Sequence, residues 1–500
     1  MGIGKSSAVQ PRKKDTKYWI VTIVGILIMV CFQFIPAPAP MTKCGMALIG
    51  CFLGYVVFVS FGEMMIPALV SMCVLSFHIF EIIPTSTASA GIVETGMQTF
   101  GSSIMVLIMM MFLATRAMEE TGLMRRITLW FLSRKFAKKG PWFFTFMLFM
   151  AAMVIGLFMD TLLLTVLMLS CAHELFKALG FKEGDAWPAM AVTGIAYTTL
   201  IAFFMTPIGH TVPIFFFEVL EGAGYSVNMI QYMLVAFPIG VIIFALMFLY
   251  FKFIVKPDVS KFKDFDYNYV ETMRPGKMGL AEKLVAWINA GVVFFWILNP
   301  ILNLFAPDLA LSQLLASLTD NFWIVLGVAL MAIIRVEGKP LLDLKKAFGE
   351  ISWECLLMLG GLLFVALQMS NESTGIPAWL TSVLMPIFGD MPLFVTMALF
   401  AVLGVVITNV MNNVATGVML IAAGIPLMVS LGVSPMYILM AAGISAQCGF
   451  TTPAAQIVLA VPALDPYCNS AYLLKRGIVM TVICIAVCVL CIYPLCMVFL

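Results

Sequence analysis

The stretch LGVVITNVMNNVATGVMLIAAGIPL, from Leu403 to Leu427, sets Asn409, Asn412 and Asn413 in a run otherwise apolar enough for the interior of a bilayer. Each asparagine carries donors and acceptors that hydrocarbon cannot satisfy, and burying one without a partner costs roughly 2 kcal/mol or more. A segment that keeps three of them needs partners, from the protein or from something it binds. Of the 500 residues, 62% are hydrophobic and 11% charged, against about 25% charged in an ordinary soluble domain. The chain is therefore expected to be an all-α polytopic membrane protein. Its formal charge of +2 leaves no footprint for a nucleic-acid partner. The twelve cysteines lie mostly inside apolar segments, the Cys488–Cys491 pair among them, with no Cys/His cluster. That argues against a structural metal or a disulfide framework, and no cofactor is called for.

Apolar runs of spanning length fall at about 18–36, 43–62, 64–83, 102–120, 186–222, 230–252, 284–306, 321–335, 352–371, 434–464 and 473–498, eleven in all. Two further runs, 141–172 and 391–428, are too long for one comfortable crossing and carry polar residues at their midpoints. Both are expected to be re-entrant hairpins. Basic residues cluster at 122–140, 253–283, 335–347 and 475–476, while 84–100, 303–320, 375–390 and 428–434 hold no Lys or Arg. With the N-terminus cytoplasmic and the C-terminus outside, eleven crossings put every basic cluster on the cytoplasmic side and leave only Lys43 opposite. The first run is taken as a span, since it is too long for the core of a cleaved signal. The opening MGIGKS matches a myristoylation pattern too common by chance to carry weight.

RAMEETGLMRR (Arg116 to Arg126) resembles QMSNESTGIPAW (Gln368 to Trp379), with Glu119, Thr121 and Gly122 matched by Glu372, Thr374 and Gly375 at an offset of 253. The same offset carries Asp160, the acidic residue inside the first hairpin, onto Asn413. A second echo follows each hairpin: GIAYTTLIAFFMTPIGH (Gly194 to His210) resembles GISAQCGFTTPAAQ (Gly443 to Gln456), pairing His210 with Gln456. An odd number of crossings between the copies makes them inverted, the usual build of secondary transporters. Pro207 and Pro453, flanked by Gly and Thr, should unwind their spans in mid-membrane, which is tolerated only where the broken backbone lines a cavity or is buried in protein. The pattern points to a site shared by two hairpin tips and two unwound helices.

Asp160 is the costliest residue in the chain, since a carboxylate at mid-membrane is disfavoured by about 3 kcal/mol even on lenient scales. It is a candidate cation ligand or proton carrier, weighed against a satisfied structural carboxylate. His210 could titrate, hydrogen-bond a substrate or cap an unwound segment. Thr408, Asn412 and Asn413 offer oxygens to a hard cation and amide groups to an anion. Asn409 faces elsewhere and is expected to join hairpin to hairpin. The 39 methionines are expected to fill the core. Among the other histidines, His78 is expected to be packed and His173 to lie on a cytoplasmic loop.

These features together, EETGL and NESTGI ending two spans, NNVATG at the second tip, GIAYTTLIAFFMTPIGH and CGFTTPAAQ, resemble the divalent anion:sodium symporter family of the ion transporter superfamily. The resemblance covers about residues 100–260 and 350–498. It implies eleven spans, two opposed hairpins, a homodimer with scaffold and moving transport domains, and an elevator cycle coupled to sodium. The implied organisation is a cytoplasmic tail 1–17, scaffold helices 18–100, a first repeat 101–256 with hairpin 141–172, a cytoplasmic loop 257–283, scaffold helices 284–347, and a second repeat 348–500 with hairpin 391–428. Family members carry Ser-Asn-Thr at both tips; here the triplets read Met159-Asp160-Thr161 and Asn412-Asn413-Val414. By position, Asp160, Thr161, His210, Asn412, Asn413 and Gln456 would face substrate. Gly209 with Asp160 would serve a first sodium site, and Thr408, Met411, Asn413 and Ala455 a second. Ile155 and Met159 stand where the family places serines.

The expected function is cation-coupled symport of a small organic anion, di- or tricarboxylate-like, across the cell (inner) membrane. The partners are that anion, sodium or protons, the bilayer and a second copy of the chain. A proton-coupled or antiport permease for another anion stays open because both triplets are altered. An intramembrane enzyme is less favoured, since no HExxH, GxGD or nucleophile elbow is present.

Overall fold

Apolar chain that must satisfy its own backbone polar groups folds as helix, and most of the described residues do so. The computed structural model describes residues 16–60, 65–78, 93, 96, 97, 100–208, 210–453 and 455–500. At the N-terminal end, α1 (Thr16–Cys31), α2 (Lys43–Ser60) and α3 (Ile66–Ser76) pack on one another. A first series follows: α4 (Ser103–Glu120), α5 (Leu123–Leu132), α6 (Pro141–Gly156), α7 (Thr161–Ala178), α8 (Ala186–Met205), α9 (Thr211–Gly222) and α10 (Met229–Tyr250). Next, α11 (Leu280–Phe305) pairs with α12 (Ala310–Ile333), which ends in a two-stranded ribbon, Arg335–Val336 against Lys339–Pro340. The second series is α13 (Leu344–Glu350), α14 (Trp353–Met369), α15 (Ile376–Phe388), α16 (Leu393–Thr408) and α17 (Asn413–Ser430). It closes with short turns at Met436–Ile438, Leu439–Ile444, Ile457–Leu459 and Ala460–Ala463, then α18 (Ser470–Phe499). Among the described residues, six helices are long and apolar enough to cross a membrane, or nine if each of three bent pairs is one span. Each of the eleven apolar runs carries helix, in whole or in part.

The two series are copies. One hairpin has arms 141–156 and 161–178, the other 393–408 and 413–430, so all four bounds differ by 252. The arms therefore reach beyond the 172 and 428 expected from sequence. The caps pair Asp160 with Asn412 and Thr161 with Asn413, one place away from the sequence pairing of Asp160 with Asn413. Each TG motif is a helix junction: Gly122 (φ 74°) starts α5 and Gly375 (φ 69°) starts α15. A left-handed φ is cheap only for glycine, which explains why both echoes end in it.

Two helices occupy stretches taken as plain connections, α5 in 122–140 and α15 in 375–390. α5 buries Leu123, Met124, Leu129 and Leu132, while Arg126 grips Glu282 of α11 through Nε–Oε1 (2.5 Å) and Nη2–Oε2 (2.8 Å) and donates to the Gly276 carbonyl (2.8 Å). Inside the first series, α8 is buried along its whole length and packed by α6, α7 and α10. At its entrance, Lys261 holds Asp185 at 2.7 Å. The backbone amide of Lys182, then Lys261, keep that carboxyl below the usual carboxylate range. His173 lies within α7, not on a loop, and its Nε2 meets the buried Asp465 at 2.8 Å, tying the first series to the second.

Candidate functional site

At the first tip, α6 ends at Gly156, residues 157–160 turn, and α7 begins at Thr161. Asp160 (φ −53°, ψ 135°) caps α7, its Oδ1 accepting from the amides of Leu162 (3.0 Å) and Leu163 (3.2 Å). These donors sit at the positive end of the helix, where a carboxylate is favoured. The span opposite breaks as the sequence predicts. α8 stops at Met205, Thr206 and His210 are extended, and α9 resumes at Thr211. Thr206 Oγ1 donates to the Leu157 carbonyl (2.8 Å), and His210 Nε2 to the Gly156 carbonyl (2.6 Å). The broken span thus satisfies carbonyls that the end of α6 leaves open. A carbonyl can only accept, so Nε2 carries the proton, and in a neutral imidazole Nδ1 is then an acceptor. That Nδ1 is fully buried and has no partner among the described residues. Thr161 is buried at the first turn, and Gly209 lies outside the described residues.

At the second tip, Asn412 (φ −58°, ψ 141°) caps α17, its Oδ1 accepting from the Val414 amide at 2.9 Å. The buried Asn413 donates through Nδ2 to Gln456 Oε1 (3.1 Å), and Gln456 Nε2 donates to the Gln447 carbonyl (3.0 Å). Gln456 is extended and directly precedes a helical turn, as His210 precedes α9, so the two occupy matching places. Asn409 ties the tip to the unwound chain of its own series. It donates to the carbonyls of Val405 (2.7 Å) and Cys448 (3.1 Å) and accepts from the amides of Phe450 (3.0 Å) and Thr451 (3.1 Å). It does not join hairpin to hairpin. Thr408 Oγ1 is fully buried with no partner among the described residues. Gly449 lies against it: a Cβ there would meet Thr408 Oγ1 at 3.3 Å, Ala455 Cβ at 3.1 Å and Gln456 Cγ at 3.3 Å. Thr408, Ala455 and Gln456 therefore converge, while Met411 sits half-buried in the turn, its amide bonded to the Ile407 carbonyl at 2.9 Å.

The two series interlock around these tips. α9 lies against α17, with Phe216 packed on Gly417 and Gly443, and the Ile457–Leu459 turn lies against α7. Each hairpin's second arm is thus covered by the other copy's broken span. Among the described residues no hydrogen bond links Asp160, Thr161 or His210 to Asn412, Asn413 or Gln456. Two polar residues went unnoticed in the sequence. Gln447 bridges Gln456 to the Gly443 carbonyl and keeps a buried Oε1 without a partner among the described residues. Glu218, half-buried in α9, accepts from Ser103 Oγ at 3.2 Å. Both carried the signal that flagged the asparagines, a polar side chain in an apolar run.

Residues 55–443 match the family described as citrate transporter. The sodium-dependent dicarboxylate transporter SdcS of Staphylococcus saprophyticus is 24% identical over 369 residues, 71% of this chain and 69% of that protein. SdcS of Staphylococcus aureus (strain USA300) is 23% identical over 370 residues, with the same shares. Two solved structures share the fold. The Alcanivorax borkumensis YdaH transporter has a TM-score of 0.53 at 14% identity, over 95% of this chain and 97% of its own. Neisseria gonorrhoeae MtrF, from a class of antimetabolite efflux pumps, has a TM-score of 0.52 at 15% identity, over 94% of each chain. With a family match across most of its length, on the fold and tips described above, the chain belongs to the citrate transporter family and is an integral membrane transport protein rather than an enzyme.

Proposed function

We propose that the chain is a secondary transporter of the citrate and dicarboxylate type that couples movement of a small organic anion to sodium. The observation that carries this is the buried hydroxyl of Thr408, which has no partner among the described residues and converges with Ala455 and Gln456 beside Asn413. An unsatisfied buried hydroxyl costs ~1–3 kcal/mol, and a hard cation with oxygen ligands removes that cost. Thr408 and Asn413, with backbone oxygens of Met411 and Ala455, would hold one sodium ion, and Asp160 with Gly209 another. Sodium bound there supplies positive charge that a site without Lys or Arg lacks. The anion binds between the tips, met by Asn412, Asn413, Thr161, His210 and Gln456. The relatives named sodium-dependent dicarboxylate transporters support both substrate and ion.

In this account the two copies are inverted, and hairpins and broken spans move as one body against α1–α3, α11 and α12, in an elevator cycle. The working unit is a homodimer with the N-terminus cytoplasmic and the C-terminus outside. Asp160 favours a second version, in which one coupling step is a protonation. Purified protein in proteoliposomes, given labelled succinate, citrate and monocarboxylates under imposed sodium or proton gradients, separates the two. Uptake driven by sodium and indifferent to a proton gradient supports the first version; the converse supports the second. Absence of gradient-driven uptake of any of these anions would overturn both.

A further inference from the structure

Helices α10 and α18 pack along one another and carry cations at one shared edge. α10 runs on through a five-residue turn, Phe251–Val255, which bears Lys252 and ends on Lys256. Lys475 and Arg476 sit near the start of α18. The two elements meet at Arg476, whose Nη1 donates to Tyr250 Oη at 3.1 Å and whose guanidinium lies 4.8 Å from the centre of the Tyr472 ring. Every ion pair found among the described residues uses other cations, so none of these four has a carboxylate within ion-pair distance there. For Arg476 the lack is costly. Its side chain is half-buried in a helix long and apolar enough to cross a membrane, and its Nε is buried with no hydrogen-bond partner among the described residues. A charge at such a place calls for a counter-charge; tyrosine faces attract a guanidinium without neutralising it.

The apolar surroundings decide what kind of anion fits. Beside the cations, Phe253 and Ile254 after α10 and Leu474 and Ile478 on α18 are exposed, by 55%, 72%, 43% and 54%. A soluble anion would use the cations and leave this apolar skirt uncovered. A phospholipid uses both, with its phosphate at the basic edge and its chains against the apolar side chains. We propose that this edge binds an anionic phospholipid, its phosphate held by Arg476, Lys475, Lys252 and Lys256 and its chains lying along the seam between α10 and α18. Since α10 closes the first series and α18 the second, a lipid seated there joins the two copies at their ends.

The test follows thermal unfolding of the full chain in detergent as one of three probes is added: phosphatidylglycerol, phosphatidylcholine with the same acyl chains, or glycerol phosphate, which has the phosphate without the chains. Phosphatidylglycerol should raise the midpoint at a concentration about tenfold or more below that needed of phosphatidylcholine, and glycerol phosphate should leave it unmoved. Replacing Lys252→Gln together with Lys475→Gln should raise the phosphatidylglycerol concentration for half the shift about tenfold. Arg476→Gln should weaken binding as well; should that variant fail to fold, the lysine pair decides. Arg335→Gln, which removes an exposed cation from the two-stranded ribbon, should change nothing. Equal responses to the two lipids, a shift reproduced by glycerol phosphate, or equal weakening by Arg335→Gln and the lysine pair would each overturn the site.

Discussion

Asn413 is buried with both ends of its amide engaged, Nδ2 on Gln456 and Oδ1 on the Val414 amide. Through Gln456 it is one of the links from the second tip to the unwound chain, and it stands at both proposed ligands. Asn413→Ala should abolish gradient-driven uptake while the detergent-purified protein still elutes as a single species; wild-type uptake would make this tip merely structural. Thr408 gives a sharper separation of folding from function. Its hydroxyl has no partner among the described residues, so replacing it with an apolar isostere should change stability by no more than ~1 kcal/mol. Thr408→Val should nevertheless raise the sodium concentration for half-maximal uptake about tenfold, a loss of ~1.4 kcal/mol. An unchanged sodium dependence would remove Thr408 from the ion site. These residues were legible in the sequence for one physical reason: polar atoms are costly in hydrocarbon, so their persistence at the middle of apolar runs marks them. The same logic flagged Asp160. What the chain alone left undecided is which of Asn412 and Asn413 caps the helix. The repeat was registered on the TG junctions, 253 residues apart, whereas the hairpins are 252 apart. The linking helices differ, with 10 residues in α5 and 13 in α15, and one residue of slip there exchanges the roles of neighbouring asparagines.

At the scale of elements, two side-chain devices join neighbouring elements. Asn409 clamps the second tip to the unwound chain through three side-chain hydrogen bonds, two of them from the amides of Phe450 and Thr451. Asn409→Leu strips those amides of their acceptor at ~1–3 kcal/mol each, so thermal unfolding in detergent should occur several degrees lower; an unchanged midpoint would mean the clamp is redundant. The second device is α5, fixed to α11 by Arg126 and the nearly buried Glu282. Arg126→Leu leaves Glu282 uncompensated and should cost ~3 kcal/mol or more. Its neighbour provides the control, because Arg125 pairs with Glu174 at the exposed surface, and Arg125→Leu should cost under ~1 kcal/mol. Equal losses in the two variants would contradict the assignment. Neither α5 nor α15 was legible as a helix. α5 is short and carries two adjacent arginines, which read as a charged connection when no partner for Arg126 can be seen. α15 lacks charge altogether and lies in a stretch already assigned to a loop by that absence. The hairpins and broken spans were legible because their signals, polar midpoints and Thr-Pro breaks, are local.

Across the whole molecule, the repeated series accounts for most of the architecture: span, glycine junction, linking helix, hairpin, broken span and final span, built twice and interlocked. Interlocking places each hairpin against the other copy's broken span, an arrangement sequence periodicity cannot reveal because it depends on contacts some two hundred or more residues apart, such as His173 with Asp465. The central claim is that this arrangement performs work, moving an anion against its gradient at the expense of sodium. The most direct measurement is the steady-state accumulation of labelled citrate or succinate in sealed proteoliposomes, with an inward sodium gradient and then with that gradient collapsed by a sodium ionophore. The account predicts internal concentrations well above external while the gradient stands, and efflux back to equality when it is collapsed. Uptake that levels off at equality under a maintained sodium gradient would contradict it.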